Sequence, residues 1–258
     1  MNVKANVNYH VVKPFRQAFY FDVEGVEGQL ITPELASVEV DVEDLRETEQ
    51  VTDFLRHGVT FVNAPSVIKD FTQPGWQALY EQELTELAQR FTGAKDVLVF
   101  DHTLRVDDPD ASRRPARNVH NDYSEQAIAQ RLEDLVGREK AKQYEQGHFG
   151  FINVWRPVDN SIMSSPLGFI CPYSMHQEDW MTIDLIYPDR QGEILGVAAN
   201  PDHHWFYLSK MRPEEAVIFN VYDNQGLPYV AHSALERQEA GDDHPPRKSL
   251  ESRLLVRY

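Results

Sequence analysis

The stretch FGFINVWRPV, Phe149 to Val158, decides the fold. It is aromatic and β-branched, follows Gly147, and is too short for a typical helix, so it reads as a buried strand. Similar runs recur on either side of turn residues: Leu167 to Cys171, Met181 to Tyr187, His204 to Ser209, Ala216 to Tyr222, Pro228 to Ser233 and Ser249 to Tyr258. About seven closely spaced strands separated by Pro, Gly, Asn and Asp predict a β-sandwich or barrel.

Upstream, the pattern predicts strands over Tyr9 to Val12, Gln29 to Thr32 and Val97 to Arg105, the last followed by an Asp/Pro/Arg-rich loop, Asp107 to Pro115. Helical spacing of Leu79, Leu84, Leu87 and Phe91 predicts a helix from Trp76 to Phe91, with Gly93 where a C-terminal cap belongs. In the charged segment Val42 to His57, Leu45, Val51, Phe54 and Leu55 could form one helical face. Ser124 is placed to cap a helix running to about Val136, with Ile128, Leu132 and Leu135 on its buried side. The expectation is mainly β with flanking helices, in one domain over 1–258, with helices mainly in 42–140 and most barrel strands in 96–258. Gly241 to Pro246 (GDDHPP) reads as a surface loop.

With 258 residues and 41% hydrophobic content the chain can build one large core. Its 41 acidic against 25 basic residues give a net charge of -16, which repels a phosphate backbone and argues against nucleic acid as a partner. No apolar run is long enough to span a bilayer, and the first 30 residues lack a signal-peptide core, so the expectation is a soluble, cytoplasmic protein without a membrane partner. A lone cysteine, Cys171, fits a reducing compartment and leaves no Cys-rich zinc site.

The ten histidines are the remaining candidate ligands. Two His and one carboxylate can hold Fe(II) on one face and leave positions open for a cosubstrate and O₂. The short signal, His-x-Asp/Glu, should occur about 1.6 times by chance in this composition. It occurs at His120/Asp122 and at His176/Glu178. In an extended strand residues i and i+2 share a side, so either pair could reach one metal. The first pair closes a strand-like segment and uses the shorter carboxylate, which favours it without deciding the matter.

His232 ends a strand-like piece and is the third candidate ligand. Beyond it lies Arg247-Lys248-Ser249: arginine presents a planar fork that matches a carboxylate, and a serine two places on points the same way. The pair could cradle the distal carboxylate of 2-oxoglutarate. Arg253 has the same parity as Ser249 and could face the site or be satisfied by Glu251. In INVWRP, Asn153 could hydrogen-bond a cosubstrate carboxylate, Trp155 shares its face, and Arg156 has the opposite parity. His102 and Arg105 are weaker candidates. His203 and His204 are adjacent in a strand and point apart, so they cannot clamp one ion. Tyr123, Tyr173, Trp180 and Tyr222 are candidates for an apolar substrate pocket.

Six blocks then carry a family resemblance: FDHTLR (Phe100 to Arg105), RNVHNDYS (Arg117 to Ser124), INVWRPV (Ile152 to Val158), FNVYDN (Phe219 to Asn224), AHSAL (Ala231 to Leu235) and PRKSLESRLLVRY (Pro246 to Tyr258). Together they resemble the hydroxylase/desaturase family that includes the cephamycin 7α-methoxylation component, gibberellin desaturase and fungal endoperoxide-forming enzymes of meroterpenoid pathways. The resemblance implies a double-stranded β-helix (jelly-roll, cupin-like) barrel, Fe(II) on His120, Asp122 and His232, 2-oxoglutarate on Arg247 and Ser249, and O₂ as oxidant. It selects His120/Asp122 over His176/Glu178. It also implies hydroxylation or desaturation of a small molecule in secondary metabolism, with activity falling below the histidine range because ligand imidazoles must be neutral. Asn220 departs from the Lys that members often carry there. A homodimer is the oligomeric state kept open. The competing readings are a cupin-like metal dioxygenase or isomerase that does not use 2-oxoglutarate, and a non-catalytic β-sandwich binding module.

Overall fold

The computed structural model describes residues 2–26, 29–48, 50–237 and 244–258. The strand Phe149–Pro157 sits in the middle of the smaller sheet, buried along its whole length. That explains why it reads as a continuous apolar run and not as an alternating one. Its neighbours are Glu215–Asp223, then Val59–Asn63, on one side, and Lys248–Arg257, then Asp96–Val106, on the other, all antiparallel. One face carries Phe151, Trp155, Val217, Phe219 and Leu255 inward. The other carries Ile152, Val154, Leu250 and Leu254 outward, under the helix Gln77–Thr92.

That helix buries Tyr80, Leu84 and Ala88 completely and stops at Gly93, whose φ of 79° is left-handed. Fully burying a leucine such as Leu84 contributes about 1.5–3 kcal/mol, so the helix is fixed by its apolar stripe.

The larger sheet closes over the interior. Among the described residues its central order is Asn2–His10, Leu35–Asp44, Trp205–Tyr207, Leu167–Ile170, His232–Ala234, His120–Asn121, Gln191–Val197 and Trp180–Ile186. Phe169 and Phe206 face inward from it and join the smaller sheet's aromatic side chains. Two sheets enclosing one aromatic interior are the expected jelly roll.

Several local expectations change. The charged segment from Val42 begins as the end of a strand, Leu35–Asp44, followed by single helical turns at Leu45–Thr48 and Phe54–His57. Val38, Val40 and Val42 alternate with acids at a period of two, and this pattern pairs the segment with Asn2–His10. Gln191–Val197 is a strand that Gly192 and Gly196 conceal, and Arg138–Glu145 is an additional helix. Pro228 to Val230 precedes the strand His232–Ala234 instead of belonging to it. Of the GDDHPP loop, residues 241–243 lie outside the described residues; His244 to Pro246 are exposed. Among the described residues no helix is long and apolar enough to cross a membrane.

Candidate metal centre

His120 opens a two-residue strand, and the chain turns at once into the helix Glu125–Val136, whose N-cap Ser124 accepts from the Ala127 amide. The Ser124 hydroxyl also donates to Glu193. This junction throws Asp122 out of the sheet toward the interior. On the next strand His232 pairs directly with His120. Their rings lie 4.4 Å apart between centroids, against Phe219 at 4.9 Å from His232. One ligand atom from each of His120, Asp122 and His232 lies within 4.8 Å of the others. His120 Nε2 is 3.6 Å from Asp122 Oδ1.

The surroundings fix which atoms are free. His120 Nδ1 donates to the Asn118 carbonyl at 2.8 Å, which leaves Nε2 with its lone pair. Asp122 Oδ2 accepts from Asn153 Nδ2 at 2.6 Å and from Arg253 Nε at 3.3 Å, which leaves Oδ1. Gly196 lies across the sheet from His120, where a Cβ would come within 2.7 Å of His10. Asn220, buried and departing from the family pattern, donates to the Pro228 carbonyl at 2.9 Å and so shapes the approach to His232. Two imidazoles and a carboxylate, with the outer atoms of His120 and Asp122 held by neighbours, fit a divalent metal of the Fe(II) type.

Burial alone would raise the Asp122 carboxyl, yet the Arg253 guanidinium and the two histidines hold it well below the usual range. Burial pushes His232 down to about 3, with His120 adding to the effect. Burial likewise pushes His10 down to about 4, again with a contribution from His120. The folded protein therefore keeps His232 and His10 neutral far below their ordinary pKa, and their burial makes folding stability depend on pH. In the unfolded chain both histidines take protons near pH 6.5. The unfolded state then binds more protons at every pH from about 6.5 down to about 4, and stability falls with pH, by about 1.4 kcal/mol per unit per histidine. Melting temperatures of the metal-free protein should be level above pH 7 and drop steadily from pH 6 to pH 4; a flat profile would contradict the burial of both rings.

A small cavity opens beside the two histidines, lined by Arg105, Ala116, His120, Leu167, His232, Arg247 and Glu251. Arg247 is 3% exposed and lies 5.0 Å over the Trp155 ring. It donates to the Ser165 carbonyl and, at 3.3 Å, to Ser249 Oγ. Among the described residues no carboxylate lies within 4 Å of it. Burial, then the nearby Arg105, lowers its pKa to about 9. Arg105 faces Ser249 across the strand pair, and sequence reasoning undervalued it because that pairing joins distant segments. Two guanidiniums in one cavity, with only Glu251 lining it as an acid, suit a dianionic ligand.

Asn153 and Arg253, the further candidates for cosubstrate binding, face the carboxylate of the centre. Both sit on Asp122, and Arg253 is further occupied by Asp101 at 2.6 Å, by Thr103 at 3.3 Å and by Glu251. The rival pair lies at the surface: the His176 side chain is 55% exposed and faces Asp202, and Glu178 is exposed. His203 is buried between Tyr9 and Asp179, while His204 reaches Glu43 on the surface. Arg156 and His102 lie on the outer face under the helix Gln77–Thr92, bonded to Tyr80 and Ser252. Tyr123 flanks Asp122 against Phe151; Tyr222 packs on Phe149, Trp180 on Tyr229, and Tyr173 is exposed.

Fold and centre together define a jelly-roll protein with a candidate site of two histidines and one carboxylate. The family model described as "Oxidoreductase/YMDC permease-like domain" matches residues 7–257, and the chain belongs to that family. It is 29% identical over 247 residues to the hydroxylase/desaturase efuI of Hormonema carpetanum, covering 84% of this chain and 82% of the relative. It is also 29% identical over 229 residues to the Fe(II)/2-oxoglutarate-dependent dioxygenase nvfI of Aspergillus novofumigatus, covering 83% and 81%. A solved structure of the iron and alpha-ketoglutarate-dependent endoperoxidase NvfI superposes with a TM-score of 0.88 at 23% identity, over 99% of this chain and 98% of that one, a likeness of fold.

Proposed function

We propose that this chain is a single-domain, cytoplasmic Fe(II)- and 2-oxoglutarate-dependent oxygenase that hydroxylates or desaturates a small organic molecule in secondary metabolism. The observation that carries it is Arg247, a buried guanidinium with no carboxylate partner among the described residues, in the cavity that His120 and His232 line. Its site is the mirror of a dicarboxylate.

In this reading His120 Nε2, Asp122 Oδ1 and a His232 nitrogen hold the iron, while Arg247, Ser249 and Arg105 bind the far carboxylate of 2-oxoglutarate. Iron held there would activate O₂, the oxidant, with 2-oxoglutarate as the two-electron co-reductant that takes one oxygen atom and leaves as succinate and CO₂. The protein's own work is orientation and exclusion of water. Phe169, Phe206 and Phe219 wall the site, and Trp155 supports Arg247 from below.

A cupin-like enzyme without 2-oxoglutarate has no use for a buried arginine that lacks a direct carboxylate partner, and a binding module has none for three convergent ligand atoms. The test is anaerobic loading with Fe(II), then exposure to O₂ and 2-oxoglutarate. Succinate should form in an iron- and O₂-dependent manner even without the natural substrate, at a slow uncoupled rate. Tight iron binding without any succinate would favour the cupin-like alternative.

A further inference from the structure

We propose that Asn153 and Arg253 are positioning residues that hold Asp122 to a single ligand oxygen and so keep one metal coordination position free for cosubstrate or O₂; this rests on the iron reading above. A carboxylate next to a metal can bind through one oxygen or chelate through both. Three protein atoms leave about three of six positions open, and a chelating 2-oxoglutarate plus O₂ needs all of them. A second Asp122 oxygen on the metal would take one.

The structure ties that oxygen back. Asp122 Oδ2 accepts from Asn153 at 2.6 Å and from Arg253 at 3.3 Å, while Oδ1 faces His120 Nε2. Arg253 cannot swing away, because Asp101, Thr103 and Glu251 hold its remaining nitrogens. Asn153 is 1% exposed, and its Oδ1 has no hydrogen-bond partner. An amide buried with one end unsatisfied costs about 1–3 kcal/mol, which an apolar residue on this strand would avoid. Its one side-chain bond, to Asp122, accounts for it.

The experiment uses Mn(II) as probe with the full chain, without 2-oxoglutarate, and counts metal-bound waters by the broadening of the Mn(II) resonance in ¹⁷O-labelled water. The variants are Asn153→Ala and Arg253→Lys; the lysine keeps a cation for Asp101 and Glu251 but loses the fork that reaches Asp122. Wild type should show about three waters and each variant about two, with anaerobic 2-oxoglutarate affinity lowered about tenfold. If the two residues merely support affinity, Mn(II) binding should weaken by roughly 10–100-fold with three waters retained. That result, or loss of Mn(II) altogether from Asn153→Ala, overturns the proposal. Asp122→Ala separates the two levels: undiminished Mn(II) binding there would mean that the iron site itself was misplaced.

Discussion

Replacing Asp122 by alanine should leave the purified protein without iron, while the same change at His176 leaves the iron in place. Asp122 Oδ1 is the one anionic donor of the cluster, and without it two neutral imidazoles must hold a dication alone. The loss should exceed the roughly 10–100-fold in metal affinity that removing an outer partner costs. It also strands Arg253, which then retains Asp101 and Glu251 but faces an empty pocket. Iron content by elemental analysis after anaerobic loading gives the readout: about one ion per chain in wild type and His176→Ala, close to none in Asp122→Ala. Retention of iron by Asp122→Ala together with its loss from His176→Ala would reinstate the rival His-x-Glu pair.

Arg247→Ala carries the second large effect. Removing one member of a buried, hydrogen-bonded charge pair costs about 2–5 kcal/mol, so half-saturation by 2-oxoglutarate should rise on the order of 10²-fold. Iron binding should not change, since Arg247 touches Ser165, Ser249 and Trp155 and none of the three ligands. Arg247→Lys should recover part of the affinity, because a point charge survives but the planar fork does not. Measuring succinate against 2-oxoglutarate concentration, alongside iron content, separates this from a general loss of fold. An unchanged 2-oxoglutarate dependence would favour the cupin-like alternative.

The sequence makes some of this architecture easy to read. The helix ending at Gly93, the strand through Trp155 and the His120-to-Ser124 junction all carry strong local signals, and the structure has each of them. Long-range pairing carries no such signal. Nothing local announces that Arg105 lies opposite Ser249, or that the Val38–Val42 alternation belongs beside Asn2–His10. Strand parity placed Arg247, Ser249, Glu251 and Arg253 on one face, and they are, but parity does not say where along that face a ligand sits. At about 3.3 Å per residue, Arg253 lies some 13 Å beyond Ser249, which takes it past the cavity to Asp122. Asn153 and Arg253 accordingly both bond the Asp122 carboxylate.

The measurement that bears most directly on the proposed chemistry is an anaerobic crystal structure with Fe(II) and 2-oxoglutarate bound. It should show one iron on His120 Nε2, Asp122 Oδ1 and His232, with the cosubstrate's far carboxylate against Arg247 and Ser249. Iron bound elsewhere, or 2-oxoglutarate lying away from Arg247, would contradict it.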